Sequence, residues 1–126
     1  IKALKDTLAK TLEARGFLIG LDKRPLFCRS DFKALNVLLQ AAGAVLMKQV
    51  VINTHNNLIE AGLVYGIDYH QHAMIHDEIE LSCPKQNIEI VKENILKSFI
   101  QSGEHFNFLC PIEGDAKVGK TWFDVH

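Results

Sequence analysis

Cysteine is scarce in this sequence, and the three that occur are far apart. Cys28, Cys83 and Cys110 form no Cys-x-x-Cys pair. Zinc knuckles and dithiol redox motifs depend on such pairs, so the sequence supports neither kind of site. Isolated thiols flanked by apolar residues instead favour buried, reduced cysteines in a cytoplasmic protein.

The sequence also lacks the excess of positive charge that freestanding DNA-binding domains usually carry. Its net charge at pH 7 is −1, with 14 Lys and Arg against 15 Asp and Glu. This balance argues against an independent DNA-binding domain but permits a DNA-contacting face on part of a larger enzyme. The basic residues do gather in the first third of the chain, at Lys2, Lys5, Lys10, Arg15, Lys23, Arg24, Arg29 and Lys33.

No uninterrupted apolar run reaches the roughly 18–20 residues that a membrane span requires, and the Lys-rich N-terminal stretch is not a signal peptide. We therefore expect no contact with a membrane. The hydrophobic content of 48% is enough for a globular core. The chain begins at Ile1 instead of Met, which N-terminal processing or a fragment of a longer protein would both explain.

The spacing of apolar residues predicts three helices. Residues 2–15 have leucines at every fourth position and should form an amphipathic helix. A longer apolar pattern predicts a second helix over residues 35–59, where Gly43 would let another element pack closely. The third predicted helix covers residues 85–102 and ends at Gly103.

Short apolar runs predict antiparallel strands between these helices. Two runs within residues 17–28 flank a turn and predict a hairpin. Residues 67–75 and 79–83 predict a second hairpin that bends at His76-Asp77-Glu78. The final segment predicts an edge strand and a loop, at Phe106–Cys110 and Ala116–Val125. The predicted fold class is α+β, with long helices packed on a small antiparallel sheet.

The polar triplet His76-Asp77-Glu78 interrupts two apolar strands. A charged triplet is common at an exposed turn, but adjacent carboxylates repel each other unless they are solvated or hold a cation. A tight hairpin also aims its tip at a fixed point, which suits metal binding. A structure should therefore place Asp77 at the tip of a hairpin that packs on the second helix. The strongly apolar neighbours of the triplet further predict a turn set into a rigid core, namely Met74, Ile75, Ile79 and Leu81.

Three stretches of the sequence, in this order, resemble conserved segments of A-family (polymerase I-like) DNA polymerases of the phage type. Arg29–Ala44 resembles the family's palm helix, His76-Asp77-Glu78 is similar to its third conserved motif, and Gly119–His126 resembles its closing segment. The matches cover residues from about Gly20 to the end, and residues 1–16 add little. The resemblance implies that residues 1–126 form a single unit, the C-terminal palm portion of a larger polymerase in the host-cell cytoplasm.

The resemblance implies template-directed DNA synthesis, in which the primer 3′-hydroxyl attacks a dNTP and expels pyrophosphate. Asp77 would be one of two carboxylate ligands of two Mg²⁺ ions, which stabilise the attacking and leaving oxygens. Glu78 would be a supporting acid beside these ions. His76 would approach the primer terminus, where a neutral imidazole can donate one hydrogen bond.

The resemblance also implies a DNA-binding face on the second helix. Asn36 and Gln40 are four residues apart and share one face, with Lys33 nearby. In the family, the matching amides contact the minor groove of the primer–template, whose acceptors are common to all base pairs. One turn before Asn36 the family commonly has Arg or His, whereas this sequence has Phe32, so that contact is not expected here. Arg29 could compensate through a phosphate.

Two parts of such a polymerase do not occur in these 126 residues: a second metal-binding aspartate and a fingers helix that carries Arg, Lys and Tyr. We therefore expect the chain alone to be inactive, to bind magnesium weakly, and to self-associate through apolar surface that the missing palm and fingers segments would cover. Two other interpretations stay open. The chain could be a standalone metal-dependent phosphohydrolase that uses the triplet, or a non-catalytic binding domain.

Overall fold

The fold is given by a computed structural model that describes residues 1–125, and His126 lies outside the described residues. The chain divides into two compact units, Ile1–Val45 and Leu46–His126. Long helices accompany two separate two-stranded antiparallel sheets, which confirms the predicted α+β class. That residues 1–126 act as one palm unit stays a prediction.

The first unit begins with a helix and a hairpin, both as predicted. Helix α1 (Lys2–Arg15) ends because Gly16 adopts a left-handed φ of 77°, and its N–H donates to the Leu12 carbonyl oxygen. Strands β1 (Leu18–Ile19) and β2 (Pro25–Leu26) pair antiparallel. The core of this unit is a cluster of buried apolar side chains, namely Leu8, Leu12, Leu18 and Ala34.

The predicted long helix is confirmed. A 3₁₀ turn at Asp31–Lys33 leads into helix α2 (Ala34–Glu60), and the chain leaves the helix through Gly62 at a φ of 85°. A Cβ built on Gly43 would meet nothing within 4 Å. The close packing predicted at Gly43 is therefore not found among residues 1–125.

The expectation that no segment is long and apolar enough for a membrane needs a correction. The helical stretch Asp31–Glu60 has a mean hydropathy of 1.6, and by length and composition alone it could cross a membrane. The criterion of an uninterrupted apolar run overlooked it, because uncharged residues such as Asn36 and Gln40 interrupt the run without adding charge. Core helices of soluble proteins meet the same length and composition test.

The second unit is built around the second predicted hairpin. Strands β3 (His70–Ile75) and β4 (Glu78–Ser82) pair antiparallel, and a 3₁₀ turn at Lys85–Asn87 leads into helix α3 (Ile88–His105). β3 begins three residues later than the pattern predicted. The buried cluster of this unit joins the C-terminal part of α2, the base of the hairpin and α3, through Leu58, Tyr69 and Val91. The prediction that the hairpin packs on the second helix is thus confirmed.

Strand β3 contains a β-bulge that the alternating pattern did not predict. Gln71 pairs with Leu81 but Ala73 pairs with Glu80, so His72 is the extra residue. A bulge shifts the register by one residue, so Gln71 and Ala73 lie on opposite faces of the hairpin. The His72 ring reaches across to β4, where Nε2 lies 2.7 Å from Ser82 Oγ.

Helices α2 and α3 meet in part through a polar ladder of three side-chain pairs. Two of these pairs include hydroxyl groups that are completely buried. The pairs are Thr54–Ser98 at 2.7 Å, Asn53–Ser102 at 2.9 Å and Asn57–Gln101 at 2.8 Å. Because buried polar groups need partners, these bonds fix which residues of the two helices lie opposite each other.

The predicted end of the third helix was wrong. Helix α3 continues past Gly103 to His105. A Cβ at Gly103 would lie 2.8 Å from Ile112 Cγ1, so this glycine allows the following chain to approach the helix closely. The helix closes instead at Asn107, which has a φ of 54°.

The predicted edge strand at Phe106–Cys110 is also wrong, because its first residues complete the end of helix α3. The Asn107 N–H donates to the Glu104 carbonyl oxygen and the Phe108 N–H to the Gly103 carbonyl oxygen, each at 3.0 Å. This is the hydrogen-bond pattern of a Schellman motif with asparagine in place of glycine. Backbone groups used in this way are not available for strand pairing.

Candidate functional site

The triplet His76-Asp77-Glu78 lies at the tip of the β3–β4 hairpin, as predicted. Ile75 pairs with Glu78, so the turn itself has two residues, His76 and Asp77, and Glu78 is the first residue of β4. His76 has a φ of 52°, whereas Asp77 is not among the residues with positive φ. This is the sign pattern of a type II′ hairpin turn, in which the first position strongly favours glycine.

The carboxylate of Asp77 is available to a ligand. All three triplet residues are exposed, and the Asp77 carboxylate makes no hydrogen bond or ion pair within residues 1–125. The prediction that apolar neighbours set the turn into a rigid core was wrong for Met74 and Ile75, which are 39% and 40% exposed. On the other strand, Ile79 and Leu81 are half-buried, and Leu81 packs against the buried cluster of Leu58, Tyr69 and Val91.

The base of the hairpin, in contrast, is firmly anchored. Tyr69 is completely buried just before β3, and its hydroxyl oxygen lies 2.8 Å from His55 Nδ1 on helix α2. Burial raises the pKa of the Tyr69 hydroxyl, so this group stays protonated and able to donate. Gln71 Nε2 also donates to the Val51 carbonyl oxygen at 3.4 Å. These contacts fix the origin of the hairpin and so limit the positions that Asp77 can reach.

Asp77 and Glu78 by themselves do not make up a complete set of metal ligands. Their oxygens are hard ligands of the kind that Mg²⁺ prefers. Within residues 1–125, however, no three His, Cys, Asp or Glu side chains gather in a way that could hold a metal ion. The donor set therefore fits a site that is completed by further carboxylates or by substrate phosphates.

Four of the five residues predicted to bind DNA lie in the first unit, and the fifth, His76, lies at the hairpin tip of the second unit. Asn36 and Gln40 are both exposed and lie one helical turn apart on α2, so their amides share a face. Lys33 is exposed in the 3₁₀ turn that precedes this helix. Arg29 lines a separate polar cavity of about 700 Å³, together with the acidic residues Asp6, Glu13 and Asp31.

The C-terminal tail has an ordered turn that the sequence interpretation missed. Helix α4 (Trp122–Val125) is capped from its own third residue, since Asp124 Oδ2 accepts from the backbone N–H groups of Lys120 and Thr121 at 2.9 and 2.8 Å. These hydrogen bonds, first that of the Thr121 side chain, lower the pKa of the Asp124 carboxyl. The Thr-x-x-Asp spacing of a capping box was a signal that could have revealed it. His126, the end of the predicted closing segment, lies outside the described residues.

The amino-acid sequence is similar to those of DNA polymerases. Residues 2–124 match DNA polymerase family A. Over 115 residues the chain is 39% identical to the DNA-directed DNA polymerase of Enterobacteria phage T3, and this match covers 89% of the chain and 16% of that protein. The DNA-directed DNA polymerase of Escherichia phage T7 is 37% identical, with the same coverage of 89% and 16%. DNA polymerase I of Aquifex aeolicus is 31% identical over 125 residues, which cover 96% of the chain and 21% of that protein.

The fold is similar to that of a solved polymerase domain. The POL domain of Pol1 from M. smegmatis, in complex with DNA primer-template and dNTP, matches 80% of this chain with a TM-score of 0.69 and 13% sequence identity. The match covers 19% of that chain. Both comparisons thus relate the 126 residues to a small share, roughly a fifth or less, of much longer proteins.

Proposed function

The chain belongs to DNA polymerase family A, and from this premise we propose that it is part of an enzyme that copies a DNA template. In the proposed reaction the primer 3′-hydroxyl attacks the α-phosphorus of a dNTP, a P–O bond forms, and pyrophosphate leaves. The observation that carries the proposal is the exposed, unpaired carboxylate of Asp77 at the tip of an anchored hairpin. The names of the relatives, which are DNA polymerases, support it.

The hairpin tip would supply part of the catalytic centre. Bound Mg²⁺ ions stabilise the attacking and leaving oxygens in this class of reaction. Asp77 would hold such an ion from the tip of the turn, and Glu78, the first residue of β4, would be a supporting acid beside the ion. The unpaired state of Asp77 favours this role, because a carboxylate that is already bound to Arg or Lys would be a poorer ligand.

His76 would orient the primer terminus. Its imidazole projects from the same two-residue turn as Asp77, so the two side chains are separated by one peptide unit. A neutral imidazole has one N–H that can donate to an oxygen of the primer. The turn would thus place a carboxylate and a hydrogen-bond donor on neighbouring parts of the same substrate.

A separate surface in the first unit would bind the duplex. The exposed amides of Asn36 and Gln40 can donate to purine N3 and pyrimidine O2 in the minor groove. These acceptors occur in every base pair, so the contacts test base-pair geometry without reading the sequence. Lys33 and Arg29 would contact phosphates, which adds affinity without specificity.

The test is an Asp77→Asn substitution in the longer polypeptide that carries this chain. We expect magnesium-dependent primer extension to fall by about 10³-fold or more, because a ligand charge that stabilises the transition state is lost. Affinity for primer–template should change little, since the duplex surface is intact. Glu89→Gln, which neutralises an exposed carboxylate in the first turn of α3, is the control and should keep full activity.

Three outcomes of this experiment would contradict the proposal. Full extension by the Asp77→Asn variant would show that the carboxylate has no catalytic role. Metal-dependent release of phosphate without nucleotide incorporation would favour the phosphohydrolase. Duplex binding without any extension by the unsubstituted polypeptide would favour a non-catalytic binding domain.

A further inference from the structure

Phe32 is an aromatic ring left almost completely in water. Its side chain is 98% exposed in the 3₁₀ turn at Asp31–Lys33, directly before helix α2. Single exposed hydrophobic residues are ordinary, but this ring lies one helical turn before Asn36, on the same side of the helix. Its position therefore connects it with the amide surface of the proposed duplex site.

A shallow groove joins Phe32 to this amide. The groove has a volume of about 180 Å³, roughly that of six water molecules, which is room for one sugar ring but not for a base pair. Three of its five lining residues are apolar, and the other two bring one amide and one ammonium group. We call it the Phe32 groove, and it is lined by Lys5, Phe32, Leu35, Asn36 and Leu39.

The charge of the first unit favours a polyanion as the occupant. Residues 1–45 contain eight Lys and Arg against four Asp and Glu, a net charge of +4, although the whole chain carries −1. The backbone of a nucleic acid combines phosphates with sugars whose carbon edges are apolar. A groove lined by apolar side chains and one ammonium group matches both features of such a strand.

We propose that the Phe32 groove seats a deoxyribose of the bound duplex, with the Phe32 ring packed on the sugar, Lys5 directed to a neighbouring phosphate and Asn36 to the base edge. This inference rests on the proposed function, because it adds a contact to the same duplex surface. It also gives a role to the residue that replaces the basic side chain common in the family. Phe32 holds the strand through apolar contact instead of charge.

Apolar contact and charge differ in their response to salt. A Lys or Arg that neutralises a phosphate releases counterions, so each such contact steepens the fall of log affinity with log salt by about 0.9. Packing of Phe32 on a sugar releases no counterions and adds nothing to this slope. A ribose in the same place would press its 2′-hydroxyl against apolar walls, where it loses water without gaining a partner.

The experiment measures binding of primer–template duplex to the longer polypeptide by fluorescence anisotropy, between about 50 and 200 mM salt. We expect Phe32→Ala to weaken binding by about fivefold at every salt concentration with an unchanged slope. Phe32→Arg should steepen the slope by about 0.9. A second series replaces one DNA strand at a time by RNA. The unsubstituted polypeptide should bind more weakly when the strand that occupies the groove is RNA. Phe32→Ala should reduce this preference for DNA over RNA.

Phe27→Ala is the matched control, because Phe27 is 77% exposed in the same unit but does not line the groove. It should leave affinity, slope and strand preference unchanged. Unaltered affinity of Phe32→Ala would overturn the proposal. If the affinity of that variant is unchanged but its melting temperature is lower, the proposal is overturned for a specific reason. Phe32 would then be covered by another segment of the polypeptide or by a second copy, and not by DNA. If the unsubstituted polypeptide binds no duplex, the proposed function itself fails.

Discussion

His76 occupies a backbone conformation that its residue type rarely adopts. Its φ of 52° brings the Cβ close to the following carbonyl oxygen, which costs about 1–2 kcal/mol for an L-residue. Glycine would fill the same position of a type II′ turn without this cost. A histidine at this place is therefore better explained by what its imidazole contacts than by the stability of the hairpin.

We expect His76→Gly to stabilise the protein and to impair catalysis. The relief of the Cβ contact exceeds the extra chain entropy of glycine, so the free energy of unfolding should rise by about 0.5–1 kcal/mol. Primer extension should fall about tenfold, which corresponds to one lost hydrogen bond. Urea unfolding and steady-state extension assays measure the two effects.

The control for this substitution is Asn107→Gly, which relieves a similar φ of 54° at the end of helix α3. It should leave extension unchanged, with a smaller gain in stability because asparagine tolerates this conformation. An active and more stable His76→Gly variant would remove the imidazole from the mechanism. A less stable variant would mean that the chain entropy of glycine outweighs the relief of the Cβ contact.

Helices α2 and α3 depend on a hydrogen-bond arrangement with a defined direction. Ser98 Oγ donates to the Ile95 carbonyl oxygen at 2.6 Å, so its single proton is used within its own helix. The 2.7 Å bond between Thr54 and Ser98 must then be donated by the Thr54 hydroxyl. Both side chains are fully buried. Loss of the acceptor on Ser98 therefore leaves a buried donor without a partner, whereas loss of the donor on Thr54 does not.

This asymmetry predicts different costs for the two single substitutions. Ser98→Ala should destabilise the protein by about 1–3 kcal/mol, the cost of a buried unsatisfied group. Thr54→Val should cost about 1 kcal/mol or less, because it leaves every remaining donor paired and keeps the volume. The double variant should be more stable than Ser98→Ala alone. Chemical denaturation of the four proteins in a double-mutant cycle measures this, and equal costs for the two single variants would refute the assignment of donor and acceptor.

The elements that the sequence predicted well are those with a strong local signal. Leucines at every fourth position predicted α1, and two apolar runs around His76-Asp77-Glu78 predicted the β3–β4 hairpin. The β-bulge at His72 was missed, because a bulge depends on the register of the partner strand and leaves no periodic signal. The end of α3 was misplaced for a similar reason. Gly103 has the composition of a helix stop, but its role is to let Ile112 approach.

The candidate site was predicted only in part, from the strand pattern and from the resemblance to a known family. The position of Asp77 at a hairpin tip followed from the two strands around it, and its proposed role as a metal ligand came from the resemblance to polymerase motifs. The exposure of Met74 and Ile75 was not predicted. Apolar composition alone cannot distinguish a residue buried within the chain from one that faces a surface outside it.

At the scale of the whole molecule, charge is divided between the two units. Residues 1–45 carry a net charge of +4, and residues 46–126, with six Lys and Arg against eleven Asp and Glu, carry −5. The basic unit contains the amide surface of Asn36 and Gln40, and the acidic unit contains the hairpin tip with Asp77. A basic surface suits a DNA backbone and acidic groups suit metal cations, so the division follows the two proposed tasks.

The incomplete set of ligands at the hairpin tip predicts what the 126-residue chain does by itself. Asp77 and Glu78 are adjacent at one tip, and within residues 1–125 no third acidic, histidine or cysteine ligand joins them. Magnesium dehydrates reluctantly and needs several well-placed oxygens, so we expect a dissociation constant weaker than about 1 mM by calorimetry. Primer extension by the purified chain should be undetectable, although circular dichroism should show it folded.

The longer polypeptide is the control for this last experiment and should extend the same primer under the same conditions. Asp77→Asn in the isolated chain should leave its weak magnesium binding nearly unchanged, because one exposed carboxylate contributes little to the affinity for Mg²⁺ without its partners. Magnesium binding clearly tighter than 1 mM that Asp77→Asn abolishes would mean that the chain holds a complete metal site. Extension by the isolated chain would go further, since Asp77 and its immediate neighbours would then suffice for nucleotide transfer without a second aspartate.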